Sequence, residues 1–304
     1  MTRTVIFIKH SIRKVRFLPL VLLILGTISA CEQSSQQLLP LEQLEDEKTY
    51  KNLEEALEEP ENVYKLDLKM KNLTTLPESI GKLKNLQRLN LGGNQLTTLP
   101  ESIGKLKNLQ RLDLFVNKLT TLPESIGKLQ NLKGLYLRDN RLSSLPDSIT
   151  KLKKLIWLNL YNNKLTSLPE SFGELKSLEY LELHKNELTT LPESFGELQS
   201  LESLKLGSIT GGNKLSTLPE SIGKLQKLRI LRLNRNQLTT LPESFGELKS
   251  LQILHLQDNQ LTALPETITN LKNLQGLYLG DEQLSNLPET ILKWAEENDV
   301  EIRR

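Results

Sequence analysis

The chain has 304 residues, 38% hydrophobic and 25% charged, which excludes wholesale disorder and leaves room for one to three domains. Its net charge of +2 conceals an asymmetry: the first 30 residues hold Arg3, Lys9, Arg13, Lys14 and Arg16 and no acidic residue. The remainder carries 34 basic against 37 acidic residues, a net −3, so no nucleic-acid partner is expected. The single cysteine, Cys31, excludes a disulfide within the chain and a multi-cysteine zinc site.

Residues 1–30 read as a secretory signal: a basic stretch, an apolar run at 17–26 (FLPLVLLILG), then small residues. The apolar stretch of about 14 residues falls short of the roughly 20 that span a bilayer. Ile28-Ser29-Ala30-Cys31 resembles the lipobox of bacterial lipoproteins, in which an aliphatic residue and two small ones precede cysteine. That resemblance implies cleavage before Cys31, a lipid on its sulfur and acylation of the new amino group. Several acyl chains anchor more firmly than one. Residues 32–47 (EQSSQQLLPLEQLEDE) are polar and acidic with little reason to pack, so 31–48 is expected to be the lipidated cysteine and a flexible spacer.

An N-terminal cap is expected over 49–62. Tyr50, Leu53 and Leu57 lie on one helical face, Asn52 with Glu55 makes a capping box, and Pro60 stops the helix. From residue 63 the chain repeats. The unit is plainest at 86–108, LQRLNLGGNQLTTLPESIGKLKN. Ten units start at Val63, Leu86, Leu109, Leu132, Leu155, Leu178, Leu201, Leu228, Leu251 and Leu274. Successive starts are 23 residues apart, except the 27 from Leu201 to Leu228.

Leucines at unit positions 1, 4 and 6 give the period of two of a short strand with one buried face. An asparagine recurs at position 9, from Asn94 to Asn259, and a buried amide must be hydrogen-bonded. Proline at position 15 fixes φ and removes a donor, which suits a turn. Glutamate at 16 and lysine at 20 make an i,i+4 pair if that segment is helical. Unit one carries Lys71 in the asparagine slot and unit ten Glu282.

The L-x-x-L-x-L-x-x-N-x-L pattern resembles the leucine-rich-repeat family, specifically its bacterial 23-residue subtype with L-P-E-S-I-G-x-L in the second half. The resemblance implies an α/β fold: a curved solenoid with a parallel concave sheet, the repeats spanning 63–286. Ten strands about 4.8 Å apart would make a sheet on the order of 43 Å long. Residues 287–304 are expected to finish the last repeat and add a helical C-terminal cap, with Trp294 as its lid.

Function in such a fold is written on the outward strand positions 3, 5 and 7. Aromatics are only 5% of the chain, and Phe172, Phe195 and Phe245 fall on the core position 18. Phe115, Tyr136, Trp157, Tyr161 and Tyr180 all fall on outward positions of four successive units, with Arg138 and His184 among them. Exposed aromatic clusters mark interaction surfaces, and Trp, Tyr and Arg are the usual anchors. The alternative is that the rings pair across strands and merely stabilise the sheet. Lys65, Arg88 and Arg111 form one basic row beside the patch, and Lys205, Arg229, Arg232 and Arg235 a second; either can steer a partner. The four extra residues of unit seven, 208–211, are expected to bulge at the strand exit.

No catalytic constellation is found. A lipidated Cys31 leaves no thiol nucleophile, and His184 and His255 sit three units apart, about 14 Å by strand spacing, too far to share a metal. Gly211-Gly212 lacks the lysine of a phosphate loop. No cofactor or metal is expected. The sequence therefore reads as a monomeric, non-catalytic lipoprotein of the cell envelope that binds a protein through the aromatic patch and the membrane through Cys31. Outer membrane or cell surface is favoured over inner membrane, with internalin-type adhesins as the functional analogy. The alternative is a periplasm-facing scaffold or assembly protein.

Overall fold

The computed structural model describes residues 38–39, 41–281 and 287–303. The expected signal segment, Cys31, residues 32–37 and 40 of the spacer, and Glu282 lie outside them. Among the described residues no helix is long and apolar enough to cross a membrane.

The repeats build one parallel sheet whose strands follow sequence order. Ten three-residue strands come from the ten repeats: Lys65–Asp67 (β2), Arg88–Asn90 (β3), Arg111–Asp113 (β4), Gly134–Tyr136 (β5), Trp157–Asn159 (β6), Tyr180–Glu182 (β7), Ser203–Lys205 (β8), Ile230–Arg232 (β9), Ile253–His255 (β10) and Gly276–Tyr278 (β11). Pairing runs between equivalent positions, as in Trp157 with Tyr180 and Leu158 with Leu181. The central leucine of every strand points inward and is buried, from Leu66 to Leu277. Its neighbours point outward, as strand alternation requires.

The sheet is two strands longer than the repeat count predicts. Thr49–Tyr50 (β1) pairs with β2, and Glu301–Arg303 (β12) pairs with β11. Each end thus covers a repeat edge that would otherwise expose a row of unpaired backbone groups. Leu53–Glu58 (α2) follows β1 and buries Ala56. Asn52 caps it by accepting from the Glu54 amide, but Glu55 does not complete a capping box; it pairs with Lys48 at 2.7 Å instead. At the other end Glu289–Glu297 (α3) buries Ile291, Trp294 and Ala295 over the last coil.

The expected flexible spacer also folds at its end. Leu41–Asp46 (α1) is helical, and Leu44 is fully buried. An apolar residue inside a polar run found a surface to cover. The return side of the repeats is built from 3-10 helices such as Glu101–Lys105, entered from an extended proline in every repeat but the fifth and closed by the leucine amide at position 21. Among the described residues no Glu–Lys ion pair forms within a repeat there. The pairs run between repeats, as in Lys153–Glu174 at 2.7 Å and Lys176–Glu197 at 3.2 Å, because a 3-10 turn does not stack i over i+4. Glycine at position 19 lets neighbouring coils approach: a Cβ on Gly127 would lie 2.3 Å from the Ser148 carbonyl oxygen. Thr150 replaces that glycine in the fourth repeat, and the next 3-10 helix is shortened to Phe172–Glu174.

The buried asparagines lock the coils together. Asn163 Nδ2 donates to the carbonyls of Leu137 and Leu160, one in each of two adjacent repeats, at 3.0 and 3.1 Å. Its Oδ1 accepts from the Leu142 amide at 3.0 Å. Asn94, Asn117, Asn140, Asn186 and Asn259 repeat this pattern. Residues 208–211 do not interrupt it. Asn213 still donates to Leu183 and Leu206 and accepts from Leu188, so the extra residues loop out between strand and ladder. The residue before each ladder asparagine other than Asn213 turns through the left-handed region, easily at Gly93 (φ 67°) and against steric cost at the β-branched Val116 (φ 52°). Asn163→Ala strands two carbonyls and one amide in the interior and should destabilise the chain by about 3 kcal/mol in urea unfolding. Asn163→Asp should cost nearly as much, since a carboxylate accepts but cannot donate.

Candidate functional site

The outward side chains stand in three rows across the strands, because equivalent positions pair in register. In the first row Trp157 and Tyr180 are neighbours on β6 and β7, and their rings stack with centroids 3.8 Å apart at 14°. Trp157 remains 43% exposed even so. Its partner on the other side is Gly134, which presents no side chain; the ring of Tyr136 on the same strand lies over that glycine instead.

The third row runs Phe115, Arg138, Tyr161, His184. The Arg138 guanidinium sits 5.4 Å from the Phe115 ring centre, and Tyr161 stacks on His184 at 4.4 Å. Phe115 in turn covers Gly92, where a Cβ would meet the ring at 2.4 Å. Arg138 is 48% exposed. Of the seven residues picked out in the sequence, six therefore adjoin as three pairs on one face, and Tyr136 stands apart over Gly134. Each stacked pair contributes about 0.5–1.5 kcal/mol and each exposed cation–ring contact about 0.5–1 kcal/mol, small against the leucine core. The rings pair across strands, yet the most exposed of them is not needed to hold the sheet.

Two neighbours, Lys185 and Val116, were missed, and Arg111 of the first basic row belongs with them. Arg111 lies over Tyr136 at 4.3 Å while its guanidinium grips Asp113 by two bonds of 2.8 and 2.9 Å. Lys185 lies over Tyr161 at 5.9 Å. Val116, 46% exposed beside Phe115, extends the apolar surface past the strand exit. Their signal lies in the sequence as a basic residue one repeat before Tyr136 or one repeat after Tyr161, and as a valine where glycine, asparagine or aspartate suits the turn. A third stack, His255 on Tyr278 at 4.0 Å with Arg303 nearby, lies at the far end of the face. The tip of the unit-seven loop carries Ile209, 85% exposed, above a turn held by Ser208, Thr210 and Gly211.

The two basic stretches differ. Lys65, Arg88 and Arg111 are matched internally: Lys65 donates to the Glu45 carbonyl, Arg88 pairs with the Glu45 carboxylate at 2.7 Å, and Arg111 has Asp113. They line a cleft of about 420 Å³ under α1. In the second stretch Lys205 pairs with Glu182 at 2.6 Å and Arg235 with Asp258 at 3.0 Å, while Arg232 makes no ion pair among the described residues.

Burial pushes the His184 imidazole down from 6.5 to about 4, helped by Lys205, Arg232 and Lys185 and opposed by Glu182. Burial and Arg232 lower His255 as well. Burial raises the Tyr136 phenol against the pull of Arg111. Both imidazoles are thus neutral at pH 7 and add rings, not charge, to the face. Among the described residues no group of histidine, cysteine and carboxylate side chains could hold a metal.

A leucine-rich-repeat region model matches the chain at 37–135, 111–206, 174–258 and 213–295. The chain belongs to the leucine-rich-repeat family. A comparison with curated proteins returned no match. Among solved structures, a leucine-rich-repeat protein of Leptospira interrogans is 30% identical over 85% of this chain and 100% of that one, with a TM-score of 0.47. The plant peptide hormone receptor RGFR1, solved in complex with RGF2, is 29% identical over 78% of this chain and 41% of that one, at 0.60. A TDR receptor is 27% identical over 84% and 49%, at 0.62. This chain spans under half the length of those two receptor chains.

A depressed imidazole binds protons more readily in the unfolded chain. The stability that His184 lends is therefore complete above its ordinary value of 6.5 and falls away as the pH drops toward about 4. His184→Gln should lose less stability than the parent between pH 7 and pH 5, read as the shift of the urea midpoint.

Proposed function

We propose that this chain is a non-catalytic, exported lipoprotein that captures a protein partner on the outward face of its sheet. The observation that carries the reading is Trp157. It is 43% exposed in the middle of the face, stacked on one side by Tyr180 and flanked on the other by Gly134, over which the Tyr136 ring leans. A large ring held rigid by one neighbour and left wet on its free edge loses little entropy when a partner covers it. Arg138, Phe115, Tyr161 and Val116 extend the same face. A fold relative solved with RGF2 supports a protein ligand. The anchor assignment rests on Ile28-Ser29-Ala30-Cys31, with the acyl chains on Cys31 holding the protein at the outer membrane or cell surface.

The test is capture from the native envelope by the full chain, compared with the double variant Trp157→Ala, Tyr161→Ala. The variant loses stacking worth about 1–3 kcal/mol in sum and should keep its circular dichroism spectrum. It is expected to lose the partner. Capture undiminished by the double change would contradict the site.

A further inference from the structure

The chain itself shows how its basic sheet face takes an acidic segment. α1 (LEQLED) lies against the N-terminal strands, where the Glu45 carboxylate meets Arg88 at 2.7 Å and the Glu45 carbonyl accepts from Lys65 at 2.8 Å. Lys65 is nearly buried by the contact. The same chemistry is present a second time, unfilled, six repeats on.

There Lys205 and Arg232 are register partners on β8 and β9, with His255 next in the row. Arg229 and Arg235 flank Arg232 in sequence. The carboxylates nearby are already engaged. Glu182 receives Lys205 on one oxygen at 2.6 Å and Asn159 on the other at 2.7 Å. Asp258 receives Arg235, and Arg229 meets only the Gln252 amide oxygen at 3.2 Å. Arg232 is half-buried, and its Nε is buried with no hydrogen-bond partner among the described residues. His184 Nδ1 is likewise buried and unpartnered. Gly207, between His184 and Asn234 in the outer row, places no side chain over this ground. A guanidinium donor taken from water and left without an acceptor is costly, and a carboxylate is the acceptor that fits its planar fork.

We infer that the stretch from Lys205 to Arg232 receives an acidic segment of the protein partner, with a partner carboxylate on the Arg232 guanidinium and Lys205 as the second cation. This deepens the proposed function and rests on it. The partner then lays an apolar or aromatic part over Trp157 and an acidic part over repeats seven and eight. Charge complementarity selects this occupant: Glu182 and Asp258 are engaged by Lys205 and Arg235, and Arg232 adds a cation that neither carboxylate matches, so an acidic segment gains where a basic one does not.

The experiment uses the full chain and a labelled octaglutamate peptide, with octaglutamine and an eight-nucleotide thymidine strand as controls, read by fluorescence anisotropy at low salt. Octaglutamate is expected to bind and octaglutamine not. Arg232→Gln should weaken octaglutamate by about tenfold or more, and Lys205→Gln by a smaller factor, with unchanged circular dichroism. Arg88→Gln should change it by less than about twofold, since that guanidinium is already used by Glu45. Trp157→Ala should leave octaglutamate affinity intact, which separates this inference from the aromatic site: loss of partner capture with octaglutamate binding retained sinks neither, and the reverse isolates which one fails. No binding of octaglutamate by the parent chain, equal losses from Arg88→Gln and Arg232→Gln, or tighter binding of the thymidine strand would overturn it.

Discussion

The buried asparagine at each strand exit is the interaction on which the rest of the structure depends. Its amide satisfies two carbonyls from adjacent repeats and one amide, all at a point where the chain turns away from the sheet and has no strand to pair with. No apolar side chain can make those bonds, and leaving them unmade would orphan backbone groups in a leucine interior. The bonds also fix register. A coil that slipped by one residue would offer Val116 or Lys118 where the amide of Asn117 is needed. The four extra residues of unit seven are tolerated for the same reason: Asn213 returns to its slot, and the surplus loops outward.

Fixed register turns the outward positions into straight rows, so each side chain's neighbour is set by the residue one repeat away. Trp157 meets Tyr180 and Tyr161 meets His184 by this rule. So do Lys205 and Arg232, which repel, and Lys205 and Glu182, which attract. The core needs none of these residues. They are free to be chosen for what lies on the face, and their distribution divides it into an aromatic middle, a basic end already covered by the chain's own α1, and a basic stretch with an unmatched arginine.

The repeat, the inward leucines and the asparagine ladder were legible in the sequence because each recurs at a fixed spacing and ten copies agree. The ends were not. Thr49–Tyr50 and Glu301–Arg303 are too short to show any period, and they become strands only because a finished neighbour offers its edge. Leu44 looked like one apolar residue in a polar spacer; its burial depends on the first repeats being there to receive it. On the face, the rows were legible and the pairings within them were not. That Tyr136 leans over Gly134 and takes Arg111 on its ring follows from side-chain rotation, which spacing does not encode. The same holds for charge. Lys65, Arg88 and Arg232 look alike in sequence, and only the position of Glu45 separates the matched from the unmatched.

Hydrogen exchange tests the account most directly. The amides of Leu96, Leu119, Leu142 and Leu165 lie outside the strands, and each donates to an asparagine side chain of the following repeat at 3.0 Å. If the ladder carries the fold, these amides exchange as slowly as those within the strands and open only with the whole array. Fast exchange at these four amides beside slow exchange in the strands would show that the asparagines decorate a sheet held together without them.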